Sequence, residues 1–131
     1  VGSVNVYKRQ AARLSGCKNI VEAVPAGSAV TLPPWGLTLS CGKPVPADIC
    51  QAGIRARHVM TVAEGTPDAF YCTVERVIQD VFTTIVLLRP EEAADGASLL
   101  RMELERDDWR RLNRPEGLWI AVQPRDILLL K

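Results

Sequence analysis

Short apolar runs, broken by glycine and proline, set the pattern of this chain. Asn19 to Val24 holds three β-branched residues, Ile20, Val21 and Val24, which suit a pleated, half-buried surface. Pro25-Ala26-Gly27-Ser28 is a turn cluster, and Ala29 to Leu32 follows it as a strand. Pro33 and Pro34 end that strand, because neither has an N–H to give to a ladder. Leu37-Thr38-Leu39-Ser40 alternates apolar and polar, the period of a half-buried strand. Gly42 to Ala52 predicts a loop, and Ile54 to Val62 another strand.

Glu64-Gly65-Thr66-Pro67-Asp68 is the best turn cluster and predicts a boundary. Phe70 to Leu88 exceeds the usual strand of about five or six residues, so a bend at Gln79-Asp80 makes it a hairpin. Glu91 to Ala97 predicts a loop and Leu99 to Leu104 a strand. Asp107 and Asp108 predict N-caps for one short helix near residues 107–112, with Trp109 and Leu112 on one face. Leu118 to Val122 and Ile127 to Leu130 close the chain around Gln123-Pro124-Arg125-Asp126. About nine or ten short strands at close spacing predict a mostly-β domain, a small barrel or sandwich.

Two echoes divide the chain. Val21-Glu22-Ala23-Val24 returns as Val74-Glu75-Arg76-Val77. Ile54-Arg55-Ala56-Arg57-His58-Val59-Met60 shares its apolar pattern with Val122-Gln123-Pro124-Arg125-Asp126-Ile127-Leu128. The first pair opens each half and the second closes it, and Arg57 falls opposite Arg125. The reading is two similar β halves, 12–64 and 65–131, packed as one domain. Residues 1–11 read as a linker or cloning remnant without a pattern, so a piece of a longer chain is expected. Small β halves have open edges and thin cores, so contact with a second copy or a neighbouring domain is expected as well.

Charge narrows the function. In 131 residues, 16 basic side chains face 15 acidic ones, for a net charge of +1, and a nucleic-acid surface would carry a basic excess or stripe. Arg106, Arg110, Arg111 and Arg114 lie among Glu103, Glu105, Asp107 and Asp108, a mixed charged face. No apolar run approaches the ~18–20 residues of a membrane span. Cys17, Cys41, Cys50 and Cys72 form no Cys-x-x-Cys pair and read as reduced, intracellular thiols without a metal role. There is no phosphate loop, dinucleotide fingerprint or nucleophile elbow, and His58 is the only histidine. No catalytic residue, cofactor site or metal site is expected.

Ser15-Gly16-Cys17-Lys18-Asn19 is the candidate binding segment. Gly16 allows close backbone approach, and backbone N–H groups with Lys18 and Asn19 are the chemistry that holds a small oxyanion. A plain turn, with Asn19 bonded to its own backbone, is the other reading.

Ala12-Arg13-Leu14-Ser15-Gly16-Cys17-Lys18-Asn19-Ile20 resembles the segment that follows the nucleotide-binding domain in ABC importer ATPases. There an Ala-x-aromatic-x-Gly-x-x-Asn pattern opens the C-terminal regulatory domain; Leu14 stands here in the aromatic's place. Gly53-Ile54-Arg55-Ala56-Arg57-His58-Val59 resembles that domain's Gly-Ile-Arg-Pro motif, with Ala56 replacing the proline. Gly117 to Leu130 is similar to its closing strand pair. The molybdate/tungstate and sulfate importers are the nearest group. The resemblance implies a small oligomer-binding-type β-barrel, called a transport-associated domain, whose two halves can bind molybdate or tungstate and inhibit transport. It implies the oxyanion ligands Ser15, Gly16, Cys17, Lys18 and Asn19. In molybdate-binding modules the corresponding motif is Ser-Ala-Arg-Asn. Here Gly16-Cys17-Lys18-Asn19 retains the asparagine and a basic residue, whereas Ala69-Phe70-Tyr71-Cys72 in the second half retains neither. The resemblance also implies a homodimer and an upstream nucleotide-binding domain that holds ATP and Mg. It implies membrane subunits as partners and a cytoplasmic location at the inner face of the membrane. Two other functions fit the residues: a purely structural dimerisation domain of a sugar- or polyamine-type importer ATPase, and a nucleic-acid-binding β-barrel.

Overall fold

The computed structural model describes residues 5–7, 19–113 and 115–131. Twelve strands are described: β1 (Asn5–Tyr7), β2 (Asn19–Glu22), β3 (Val24–Ala26), β4 (Ala29–Leu32), β5 (Leu37–Ser40), β6 (Gln51–Ile54), β7 (Met60–Thr61), β8 (Phe70–Gln79), β9 (Thr83–Pro90), β10 (Leu100–Glu105), β11 (Gly117–Ala121) and β12 (Ile127–Leu130). One α-helix, α1 (Arg106–Arg111), lies between β10 and β11. The described residues form a mostly-β, oligomer-binding-type barrel of two similar halves with one short helix. The strands form three sheets, ordered β1-β12-β6-β2, β10-β9-β8-β11-β7 and β3-β4-β5.

The closing strands are exchanged between the halves. Two 3-10 turns, Ala56–His58 and Pro124–Asp126, begin 68 positions apart. Each separates a half's last two strands, so Ile54 to Val62 is not one strand as expected. Pro124 explains the second turn: its fixed φ suits a helical start and it has no N–H to lose. After each turn the chain crosses over. β12 pairs with β6 of the first half, and β7 pairs with β11 of the second. The registers match: Leu129 lies opposite Ala52 as Thr61 lies opposite Ile120, and Leu128 opposite Gly53 as Met60 opposite Ala121. The repeated apolar pattern therefore encodes a reciprocal strand swap about a pseudo-two-fold axis.

The opening echo falls on the first strand of each half, but four residues out of step. Val21 pairs with Ala52, and the residue matching it by ladder position is Phe70, opposite Ile120, not Val74. A bulge between Val74 and Arg76 accompanies this longer strand. Asn5–Tyr7, read without a pattern, adds a strand parallel to β12.

One core serves both halves. Val30, Leu32, Trp35, Ile54, Val86, Leu88, Leu100, Ile120, Ile127 and Leu129 are all buried in it. The alternation in β4 and β5 places Val30, Leu32, Leu37 and Leu39 inward, as the period-2 pattern requires. Trp35 donates its indole N–H to the Ser98 carbonyl at 2.6 Å, which ties a third 3-10 turn, Pro33–Trp35, to the loop before β10. Where α1 stands in the second half, the first half has the loop between β5 and β6.

Candidate functional site

The candidate segment enters the described structure at its last residue. Asn19 begins β2 and is buried; Ser15, Gly16, Cys17 and Lys18 lie outside the described residues. The Asn19 amide does not stop at its own backbone. Its Nδ2 donates to the Arg101 carbonyl at 2.7 Å, and its Oδ1 accepts the Arg101 N–H at 2.7 Å. β10 is an edge strand, and alternate residues of an edge strand turn their N–H and C=O groups away from the sheet. Arg101 is one of these. The Asn19 amide supplies the complementary acceptor and donor, as a neighbouring peptide would. This clamp fixes Asn19 beside β10, at the junction of the two halves.

Among the described residues, a cleft lies along the seam where the barrel does not close. Its lips are the edge strands β7 and β10, and α1 stands at one end; it encloses about 480 Å³. Arg57, Met60, Thr61, Met102, Glu103 and Glu105 line it. Arg57 lies 2.5 Å from Glu103 and 3.8 Å from Glu105, and Arg111 lies 3.1 Å from Asp108. Each guanidinium in the cleft thus faces a carboxylate, so the lining offers an anion no uncompensated positive charge. The sequence marks Arg57 and Met60 through the closing echo, and Glu103, Glu105, Asp108 and Arg111 as a mixed charged face. The cleft itself carries no local signal, since the pairing of β7 with β11 is what sets β7 at the edge facing β10.

His58 and Asp126 occupy matching places in the two 3-10 turns, and they meet: Nδ1 and Oδ1 are 3.5 Å apart. Residues related by a two-fold axis touch only near that axis, so this pair marks the junction of the halves. Asp107 and Asp108 are not the helix caps they were expected to be. Glu105 holds the cap position with no side-chain bond, while Asp107 and Asp108 sit in the first turn, near Arg110 and Arg111 at i+3. There they still oppose the positive end of the helix dipole.

Among the described residues, no group of three or more His, Cys, Asp or Glu side chains could hold a metal ion. Cys41 and Cys72 are buried and Cys50 is exposed. Burial pushes the Cys72 thiol up to about 12 and the Cys41 thiol up as well, so both stay protonated at neutral pH. No described helix is long and apolar enough to cross a membrane.

No protein-family model matches the sequence, and no curated protein matches it. The fold does have a solved counterpart. The chain is similar to the cytoplasmic molybdate-binding protein ModG, in a crystal structure with molybdate bound, at a TM-score of 0.66 and 10% sequence identity. The match covers 87% of this chain and 96% of ModG.

Proposed function

We propose that this chain is a non-catalytic oxyanion-binding domain, taking molybdate or tungstate, that regulates an ABC importer ATPase subunit. One observation carries the reading: the two-half barrel matches a molybdate-binding protein over nearly the whole of both chains. The clamp supports it from the residues, because it holds Asn19, the last residue of the candidate segment, at the junction between the halves. In this reading the halves 12–64 and 65–131 act as one unit. Ser15 with the backbone of Gly16 and Cys17 donates hydrogen bonds to the oxyanion, and Lys18 supplies the charge. Asn19 anchors the segment through Arg101. The reading carries the partners the sequence resemblance implies: an upstream nucleotide-binding domain that holds ATP and Mg, and membrane subunits at the inner face of the membrane.

Thermal unfolding in the presence of oxyanions tests this. A ligand that binds only the folded state stabilises it by about 2.7 kcal/mol at 100 times its dissociation constant. Molybdate and tungstate raise the melting temperature, maltose does not, and Lys18→Ala removes the shift. A folded chain whose melting temperature is unmoved by millimolar tungstate refutes the reading.

A further inference from the structure

The hairpin β8–β9 extends past the barrel. β11 accompanies β8 only as far as Thr73, and the last bond on that side runs from the Val74 N–H to the Glu116 carbonyl. Beyond it, β8 has β9 on one side and no strand on the other among the described residues. Asp80 donates to the Thr83 carbonyl. By alternation Asp80, Ile78 and Arg76 therefore face β9, while Val77 and Gln79 turn their N–H and C=O groups to the open edge. The matching hairpin of the first half is shorter, and its turn is tied down: Ser28 and Gly27 accept the N–H groups of Cys41 and Val45. The overhang is thus an addition in one half, not a need of the fold.

Its tip is apolar and held in place. Phe82 is 78% exposed and Val81 66%, with Ile78 at 40% and Val77 at 36% along the strand. Asp80 accepts the Val81 N–H at 2.8 Å through Oδ1. Arg106 reaches back to bond the carbonyls of Val81 and Phe82 at 3.2 and 3.3 Å. Beside the open edge lies a groove of about 400 Å³, lined by Val74, Val77, Gln79, Trp109 and Pro115. The bulge keeps Val74, Val77 and Gln79 on one face of β8.

We infer that this edge is a self-association surface whose occupant is the same edge of a second copy. Antiparallel pairing about a two-fold axis at Ile78 sets outward-facing Val77 against Gln79 of the partner subunit, and Gln79 against the partner's Val77, so the ladder continues in phase. The same pairing brings Phe82 of the partner subunit level with Val74, at the groove. Knob and groove thus complete each other in both directions. The four apolar side chains expose roughly 400 Å² per copy. With the groove walls and edge backbone, the pair reaches the ~1,000 Å² that a specific interface needs. This rests on the proposed function only in its expectation of a second copy; the oxyanion site is not involved.

Sedimentation velocity on the whole chain, from about 1 to about 200 µM, tests it across the range in which such an interface dissociates. The chain sediments as a dimer at the upper end, and amide exchange at Val77 and Gln79 slows as concentration rises. Val77→Pro and, separately, Phe82→Asp weaken the dimer at least about tenfold and leave the molybdate-induced melting shift unchanged. Phe82 is solvated, so F82D keeps the fold if V77P does not. A monomer at every concentration overturns the inference, as does a dimer that both variants leave intact. A monomer that still binds molybdate overturns only the inference; a V77P-sensitive dimer blind to oxyanions overturns only the proposed function.

Discussion

Replacing Asn19 by alanine removes two hydrogen bonds of 2.7 Å and strips Arg101 of partners for both its N–H and its C=O. Each bond contributes about 1 kcal/mol net, and a polar group left dry costs about 1–3 kcal/mol more. Water can reach part of this edge, since Arg101 is only half-buried, which lowers the second figure. The loss is therefore about 2–4 kcal/mol. For a chain of this size each kcal/mol moves the melting temperature by roughly 3–5 °C, so the midpoint falls by about 6–20 °C. Asn19→Asp does not rescue it at neutral pH. One carboxylate oxygen still accepts the Arg101 N–H, but the other faces the Arg101 carbonyl, where the donor used to be. Urea unfolding followed by tryptophan fluorescence gives the free energy, and faster exchange of the Arg101 amide locates the effect. A loss under about 0.5 kcal/mol for Asn19→Ala, or full rescue by aspartate, refutes the clamp as described.

Two further outcomes follow from the fold. Gly36 has φ +62, and a Cβ there would overlap the Glu92 backbone, whereas Gly27 at φ +68 has open space around it. Gly36→Ala costs more than about 2 kcal/mol and Gly27→Ala about 1 kcal/mol or less, measured by urea unfolding; equal costs contradict the packing of Gly36, after the Pro33–Trp35 turn, against Glu92. Cys50 reacts with a thiol reagent at pH 8 while Cys72 does not, read by mass mapping. The folded Cys72 pKa lies above its unfolded value near 9, so the unfolded state loses its proton first. That contribution is complete below pH 9 and is lost as pH rises toward about 12. Rapid modification of Cys72 in the folded chain contradicts its burial.

Local chemistry made much of the framework legible. Ala29–Leu32, Leu37–Ser40 and Ile127–Leu130 are strands with the bounds their apolar patterns gave, and β8 turns back after Gln79. Pro124 marks the second 3-10 turn, and Ala56 hides the first because alanine has no such restraint. The strand exchange was not legible, because which strand β7 and β12 pair with is decided across the whole chain. The four-residue offset between Val21 and Phe70 escaped for the same reason: a short sequence echo fixes no register. Asn19 was legible as a polar group at a strand start. Its partner, 82 positions away, was not, since Arg101 engages it only through the main chain, which no side-chain pattern announces.

Titration calorimetry with molybdate on the whole chain, repeated on Lys18→Ala, tests the central claim most directly. The account predicts saturable binding of molybdate and tungstate that K18A abolishes while its far-UV spectrum and unfolding midpoint stay as in the parent. A folded parent chain that takes up no heat and shows no competition at millimolar molybdate contradicts it, as does a K18A variant that binds as the parent does.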